Sequence, residues 1–229
     1  MKILALGAHP DDIEIFMFGT MVAYAAQGAE LTFAVATDGA RGGKSDPAVL
    51  ARLRREEATA AAALLGATPR FLDFPDGELM ADAALIGALK TLIRETRPNL
   101  VITHAPNDYH ADHRALSDGV RIAASFGVPV LYADTMGGTG FSPTHYVDIS
   151  AHRDIKTQAI RAHRSQRPEQ YVDRARIQNE FRAGQCNGLP GSLAEAFRFE
   201  PTFPFADIRA LLPPPPPLRP VAPNTSEAG

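Results

Sequence analysis

Met1-Lys2-Ile3-Leu4-Ala5-Leu6-Gly7, followed by Ala8-His9-Pro10-Asp11-Asp12, is the stretch that decides the fold. Its first part is a short apolar run of the kind a strand buried on both faces requires. The run stops at a histidine, a proline and two adjacent carboxylates. His9 and Asp12, three positions apart at the end of such a strand, can converge on one metal ion, with Pro10 stiffening the turn. The spare carboxylate of Asp11 is then placed to act as a base. A third ligand is available in His110-Ala111-Asp112-His113, just after a second apolar strand.

Outward from that stretch, apolar strand-like runs alternate with runs of helical period. Strands are expected at Lys2–Gly7, Leu31–Thr37, Arg70–Phe74, Asn99–His104 and Val128–Ala133, with a sixth at Thr144–Ile149. Helices are expected at Glu14–Gln27, Pro47–Leu65, Ala81–Thr96, Asp112–Ser125, Ile155–Ser165 and Pro168–Ala183. Gly28 and Gly66 stand where helix C-terminal caps belong. Strands separated by helices of this length imply β-α-β crossovers. The expected architecture is therefore α/β, a Rossmann-like and mostly parallel sheet with helices on both faces. It forms a single domain over residues 1–212, ahead of a Pro-rich extended or disordered tail over 213–229. Ligands of such sheets sit beyond the carboxyl ends of the strands, where both His/Asp clusters fall.

Composition narrows the function classes. The 229 residues are 45% hydrophobic, enough to fill one sizeable core, and the net charge of -3 offers no nucleic-acid footprint. No apolar run reaches the ~18–20 residues of a membrane span, and the N-terminus has no small-residue cleavage site of a signal peptide. The single Cys186 excludes an intrachain disulfide and a cysteine-built zinc site, and it fits a reducing cytoplasm. A metal must then be held by histidine and carboxylate. Zinc in hydrolytic sites commonly takes three protein ligands and leaves one position for water, and His9, Asp12 and His113 would supply two nitrogens and one oxygen. Each residue alone has a plainer reading: a strand-end histidine, a helix N-cap pair of carboxylates, a solvated helical histidine. The joint pattern, with both clusters at strand ends, favours the metal site.

These residues resemble the LmbE-like, or PIG-L, family of zinc-dependent N-deacetylases. The resemblance rests on Ala8-His9-Pro10-Asp11-Asp12, with Ile13 before Glu14 as in a bacterial subgroup that includes bacillithiol-type deacetylases. It continues through Thr37-Asp38-Gly39, Arg54 to Glu57, Leu65-Gly66, Asp76-Gly77, His110-Ala111-Asp112-His113 (Ala where the family has Pro) and His163-Arg164-Ser165-Gln166. It implies Zn2+ on His9, Asp12 and His113, with Asp11 as general base. It makes His110 the oxyanion stabiliser, and Asp112 the acceptor of a hydrogen bond from His110 that fixes its tautomer. Arg54 and Asp76 become candidates for substrate binding, and Tyr109, beside His110, could line the pocket. The implied reaction removes an N-acetyl or other N-acyl group from a small amino sugar or sugar conjugate; a close variant cleaves larger thiol-conjugate or secondary-metabolite amides. The implied assembly is a homo-oligomer. An Fe(II) oxygenase would also use two histidines and a carboxylate, but such triads usually sit on β-barrels. A non-catalytic metal- or sugar-binding protein would not need the Asp11, His110 and Asp112 set.

Overall fold

The computed structural model describes residues 1–220. A seven-stranded sheet runs in the order β3-β2-β1-β4-β5-β7-β6. Its strands are β1 Lys2–Gly7, β2 Glu30–Thr37, β3 Arg70–Phe74, β4 Leu100–His104, β5 Val130–Ala133, β6 His145–Asp148 and β7 Ala194–Phe199. The first five are parallel, and β7 lies antiparallel between β5 and β6. The helices are α1 Asp12–Phe16, α2 Phe18–Ala26, α3 Pro47–Ala63, α4 Ala83–Thr96, α5 Ala111–Ala124, α6 Arg153–Ala162 and α7 Pro168–Gln185. This is the expected single-domain, mostly parallel α/β fold.

Alternation along the central strands explains why both faces are covered. Ile3 and Ala5 of β1 enter the core shared with α1, α2, α6 and α7, whereas Leu4 and Leu6 enter the core beneath α4 and α5. Helix starts follow local chemistry: Asp46 accepts from the amides of Ala48 and Val49 ahead of Pro47, and Asp82 accepts from those of Ala84 and Leu85.

Three expectations need correction. The helix expected over Glu14–Gln27 is two helices, because Met17 leaves helical geometry at φ -145°, ψ 4°. The reason is tertiary: the carboxylate of Glu195, from β7, accepts from the amides of Gly19 (2.9 Å) and Thr20 (2.7 Å) and so starts a new helix there. Strand β7 itself was not expected, since a run carrying Glu195 does not read as a buried strand; Lys156 pairs with that carboxylate inside the protein. Finally, the helix expected over Ile155–Ser165 stops at Ala162, and Arg164–Gln166 forms a separate 3-10 turn. Of the Pro-rich tail, residues 213–220 run extended and bonded to the body: Pro214 O accepts from Asp148 N, and Arg219 N donates to Asn187 O. Residues 221–229 lie outside the described residues.

The strand order 3-2-1-4-5 places a switch point between β1 and β4, whose neighbouring strands leave in opposite directions. The loop after β1 and the loop after β4 both open there.

Candidate active site

The two loops bring His9, Asp12 and His113 together. Asp12 Oδ2 stands 3.4 Å from His9 Nδ1 and 3.4 Å from His113 Nε2, and the two histidine nitrogens are 3.3 Å apart. Two ligands of one tetrahedral ion held at ~2.0–2.1 Å are separated by about 3.3–3.4 Å. The donor triangle therefore has the edge lengths of one face of such a site, and all three side chains are buried.

The far side of each histidine is held by carboxylates, the arrangement that orients a ligating imidazole. His9 Nε2 lies 3.1 Å from Asp112 Oδ2 and 3.2 Å from Asp76 Oδ1, and His113 Nδ1 lies 3.2 Å from Asp108 Oδ1. Burial works against a charge on His9, yet Asp112, Asp12 and Asp76 outweigh it and push its pKa up to about 12. Burial likewise opposes His113, but Asp12 and Asp108 push it up to about 9. A cation would take the place of these protons.

Asp11 faces the same pocket but stands outside the triangle. Its backbone adopts φ 135°, a strained value for a residue with a side chain and typical of functional sites. Its Oδ1 is 3.1 Å from Arg54 Nη2, and both side chains are buried. Burial, joined by the charge of Asp12, raises the Asp11 pKa, whereas Arg54 opposes the rise. Arg54 also donates to Pro10 O (2.8 Å) and Gly39 O (3.1 Å). A Cβ on Gly42 would sit 2.3 Å from Arg54 Nη1, so the guanidinium has its place only because residue 42 is glycine.

Helix α3 carries Arg54 and Glu57 on one face, as i,i+3 spacing dictates. The first reaches Asp11; the second accepts from Ser165 N (2.8 Å) and Ser165 Oγ (2.7 Å), fixing the turn that carries Gln166 into the pocket wall. Behind this, His163 Nε2 lies 3.3 Å from Glu14 Oε2.

His110 is the N-cap of α5, and its Nδ1 accepts from the Asp112 amide at 3.2 Å. That contact leaves the proton of a neutral ring on Nε2. Burial and the neighbouring His9 and His113 charges lower the His110 pKa, which favours the neutral ring. The expected carboxylate bond from Asp112 to His110 is not the arrangement found. The Asp112 carboxylate meets His9 and the amides of Gly77 (2.7 Å) and Leu79 (3.2 Å), because the first turn of α5 points it back across the β3 loop. It is the Asp112 backbone amide that orients His110.

The pocket of about 300 Å³ is lined by the triangle, Asp11, Arg54, Asp76, His110 and Tyr109, so every residue singled out in the sequence except Asp112 reaches its wall. Other residues at the site went unrecognised in the sequence, Ile15, Phe16, Arg41 and Gly42 of the wall among them. His104, fully buried at the end of β4, stacks on His113 with ring centroids 3.7 Å apart and has Nε2 3.0 Å from Asp12 Oδ2. The same nitrogen accepts from the Ala8 amide, which occupies the lone pair a cation would need. Asp108, five positions before His113, was visible only as a polar loop residue. Met136 and Tyr171 complete the wall from distant segments.

Comparisons with known proteins place the chain in a family. Residues 4–124 match the model of the PIG-L family, described as GlcNAc-PI de-N-acetylase. The diacetylchitobiose deacetylase of Thermococcus kodakarensis is 32% identical over 73% of this chain and 71% of its own. The 4-oxalmesaconate hydratase of Pseudomonas putida is 28% identical over 81% of this chain and 82% of its own. Among solved structures, N,N'-diacetylchitobiose deacetylase from Pyrococcus horikoshii superposes with a TM-score of 0.79 at 26% identity, covering 87% of this chain and 83% of that one. The match spans both loops that build the donor triangle, and the chain belongs to the PIG-L family of deacetylases, enzymes that hydrolyse amide bonds.

Proposed function

We propose that this protein removes the N-acetyl group of a small amino sugar or sugar conjugate, with a zinc ion held by His9, Asp12 and His113. The observation that carries the reading is the 3.3–3.4 Å donor triangle with a buried, ion-paired carboxylate beside it that takes no part in the triangle. A zinc bound there would supply a water of lowered pKa and polarise the amide carbonyl. Asp11 takes the proton of the attacking water, with Arg54 opposing the rise in its pKa that burial causes. His110 donates its Nε2 proton as a hydrogen bond to the carbonyl oxygen as that oxygen becomes negative. The C–N bond then breaks, acetate forms, and the proton held by Asp11 leaves with the amine. Asp76, Asp112 and Asp108 hold the two ligating imidazoles in place. Tyr109, 61% exposed at the pocket mouth, is placed to touch the substrate rather than the reacting atoms.

The hydratase relative supports a second reading, addition of water to an unsaturated oxo acid, since its match covers more of both chains than that of the deacetylase. One preparation tests both. Zinc-loaded protein is given N-acetylglucosamine glycosides, with acetate release as the readout, and in parallel a conjugated oxo acid, with loss of ultraviolet absorbance as the readout. Acetate release that falls about 10²–10⁴-fold in Asp11→Asn, with zinc content unchanged, supports deacetylation with Asp11 as the base. Wild-type turnover by that variant would refute the role of Asp11, and hydration without acetate release would replace the reading.

A further inference from the structure

Helix α1 is too short to hold itself in place, yet the two carboxylates on which the site depends stand at its start. It has five residues, and both ends leave helical geometry, Asp11 at φ 135° and Met17 at φ -145°. A helix of that length makes too few internal hydrogen bonds to be stable alone. A strained residue such as Asp11 persists only where its surroundings fix it. Whatever fixes α1 therefore decides where Asp12 meets the other ligands and where Asp11 points.

The ties come from one face of α6. Lys156 on that helix and His163 at its C-terminal cap are seven residues apart, about two helical turns, and so look the same way. Lys156 Nζ donates to Ile15 O at 2.7 Å, and His163 Nε2 lies 3.3 Å from Glu14 Oε2. The two side chains thus grip neighbouring residues of α1, and Lys156, His163 and Glu14 are all buried. Lys156 has a second partner in Glu195, which also starts α2, so its removal disturbs more than α1. His163 has no such second duty: apart from the Glu14 contact, neither ring nitrogen meets a polar partner among the described residues. Burial opposes a charge on this imidazole, but Glu14, Asp11 and Glu57 outweigh it and raise its pKa. The contact with Glu14 is an ion pair that little solvent screens.

His163 is anchored from behind. Its carbonyl accepts from Gln166 N at 3.0 Å, and the turn that follows is bound to α3 by the two bonds from Ser165 to Glu57. Helix α3 also presents Arg54 to Asp11. Helix α1 is thereby held between α3 at its N-terminal end and α6 at its last turn. A buried histidine paired with a carboxylate can serve stability alone, but Glu14 stands two residues after Asp12 and three after Asp11. A shift of its side chain is carried through a single helical turn to both.

Resting on the deacetylase reading, we infer that His163 is a positioning residue, holding α1 through Glu14 so that Asp12 reaches the metal and Asp11 the attacking water. The test compares wild type with Glu14→Leu, His163→Leu, the double Leu variant and His163→Gln. Melting temperature, zinc affinity by chelator competition, and kcat and KM for acetate release by the zinc-loaded proteins are all measured. The single Leu variants are expected to lose roughly 10–100-fold in kcat with KM little changed, since a misplaced base costs the reaction rather than binding. Their zinc affinity is expected to fall by about 10–100-fold. The double variant replaces a buried ion pair by apolar groups, a change often neutral for stability. It is expected to melt like wild type while kcat and zinc affinity stay low, because apolar contact does not fix the direction of α1. His163→Gln, which keeps a donor for Glu14, is expected to retain more of both than His163→Leu. A double variant that regains kcat and zinc affinity together with its melting temperature overturns the inference, for the pair then holds only the fold. So do folded single variants that match wild type in both. If the single variants do not fold, the double variant and His163→Gln decide by the same two readouts. If wild type itself releases no acetate, the deacetylase reading fails, and zinc affinity alone decides: low in the stable double variant upholds the positioning role, and wild-type affinity rejects it.

Discussion

Replacing Arg54 by methionine should move the acid limb of the pH–rate profile to higher pH. Asp11 works as a base only while it is deprotonated, and its pKa is already raised by burial and by Asp12, with Arg54 opposing. The guanidinium Nη2 is 3.1 Å from Asp11 Oδ1, and the two side chains are only 4% and 11% exposed, so solvent screens little of their attraction. At an effective dielectric constant of about 20, two unit charges at that distance interact by about 5 kcal/mol. At 1.36 kcal/mol per pH unit that bounds the effect at about 4 units. Removal of one neighbouring charge moves a carboxyl by about 1–3 units in practice, and that is the expected displacement of the limb. The sign is fixed: without Arg54 the carboxyl binds its proton more tightly, so activity disappears at a higher pH on the way down. The assay is kcat/KM for acetate release from pH 5 to 9, with melting temperature as the check on folding. Arg54→Lys, which keeps the charge, should restore part of the displacement. Gly42→Ala supplies an independent route, since its methyl occupies the space of Arg54 Nη1 and should move the limb the same way. A folded Arg54→Met protein whose limb stays put while KM rises would refute the pairing argument and return Arg54 to the substrate.

Other expectations follow from the same geometry. Purified protein should carry about one zinc per chain, and His113→Ala should lose most of it; full occupancy in that variant would sink the ligand set. Zinc binding at pH 7.5 should release about two protons, because His9 and His113 hold theirs up to pH values of about 12 and about 9 in the metal-free chain. The release should fall toward one as pH rises through about 9. Calorimetry in buffers of different ionisation enthalpy reads this directly, and no proton release would contradict the donor assignment. Asp108→Asn should weaken zinc by about 10–100-fold in a chelator competition, since it loses the charge facing His113 Nδ1; unchanged affinity would mean that Asp108 does not orient the ligand. Lys156→Met leaves the Glu195 carboxylate buried without its cation at a cost of about 3–5 kcal/mol. Melting should drop by roughly 6–20 °C for a domain of this size, and a drop of only a degree or two would show that the two helix amides alone suffice to hold the charge.

Much of this was legible in the sequence because it depends on local chemistry. The apolar run Ile3–Leu6 must be buried on both faces, and the alternation of such runs with helices admits few arrangements other than a parallel sheet. His9, Asp11 and Asp12 are fixed relative to one another by four residues of chain, and His110 and His113 by one helical turn. Those constraints act over distances that sequence spacing measures. What the residues of one cluster do toward the other does not follow from spacing. The role expected for Asp112 illustrates this: it was assigned by family likeness and by its neighbour in sequence, and its carboxylate spends its charge elsewhere, on His9.

By itself, then, the sequence determined the fold class and the donor atoms available, since hydrophobic period and ligand chemistry are properties of short segments. Only the tertiary structure decided how those donors are shared. The sheet order makes β1 and β4 neighbours and so closes the triangle from His9, Asp12 and His113. Burial then forces every remaining polar group to find a partner wherever one lies in space, regardless of distance along the chain. That is why Glu195 starts a helix 175 residues away at Thr20. It is also why His104 stacks against His113, and why β7, with Glu195 buried near its start, is a core strand.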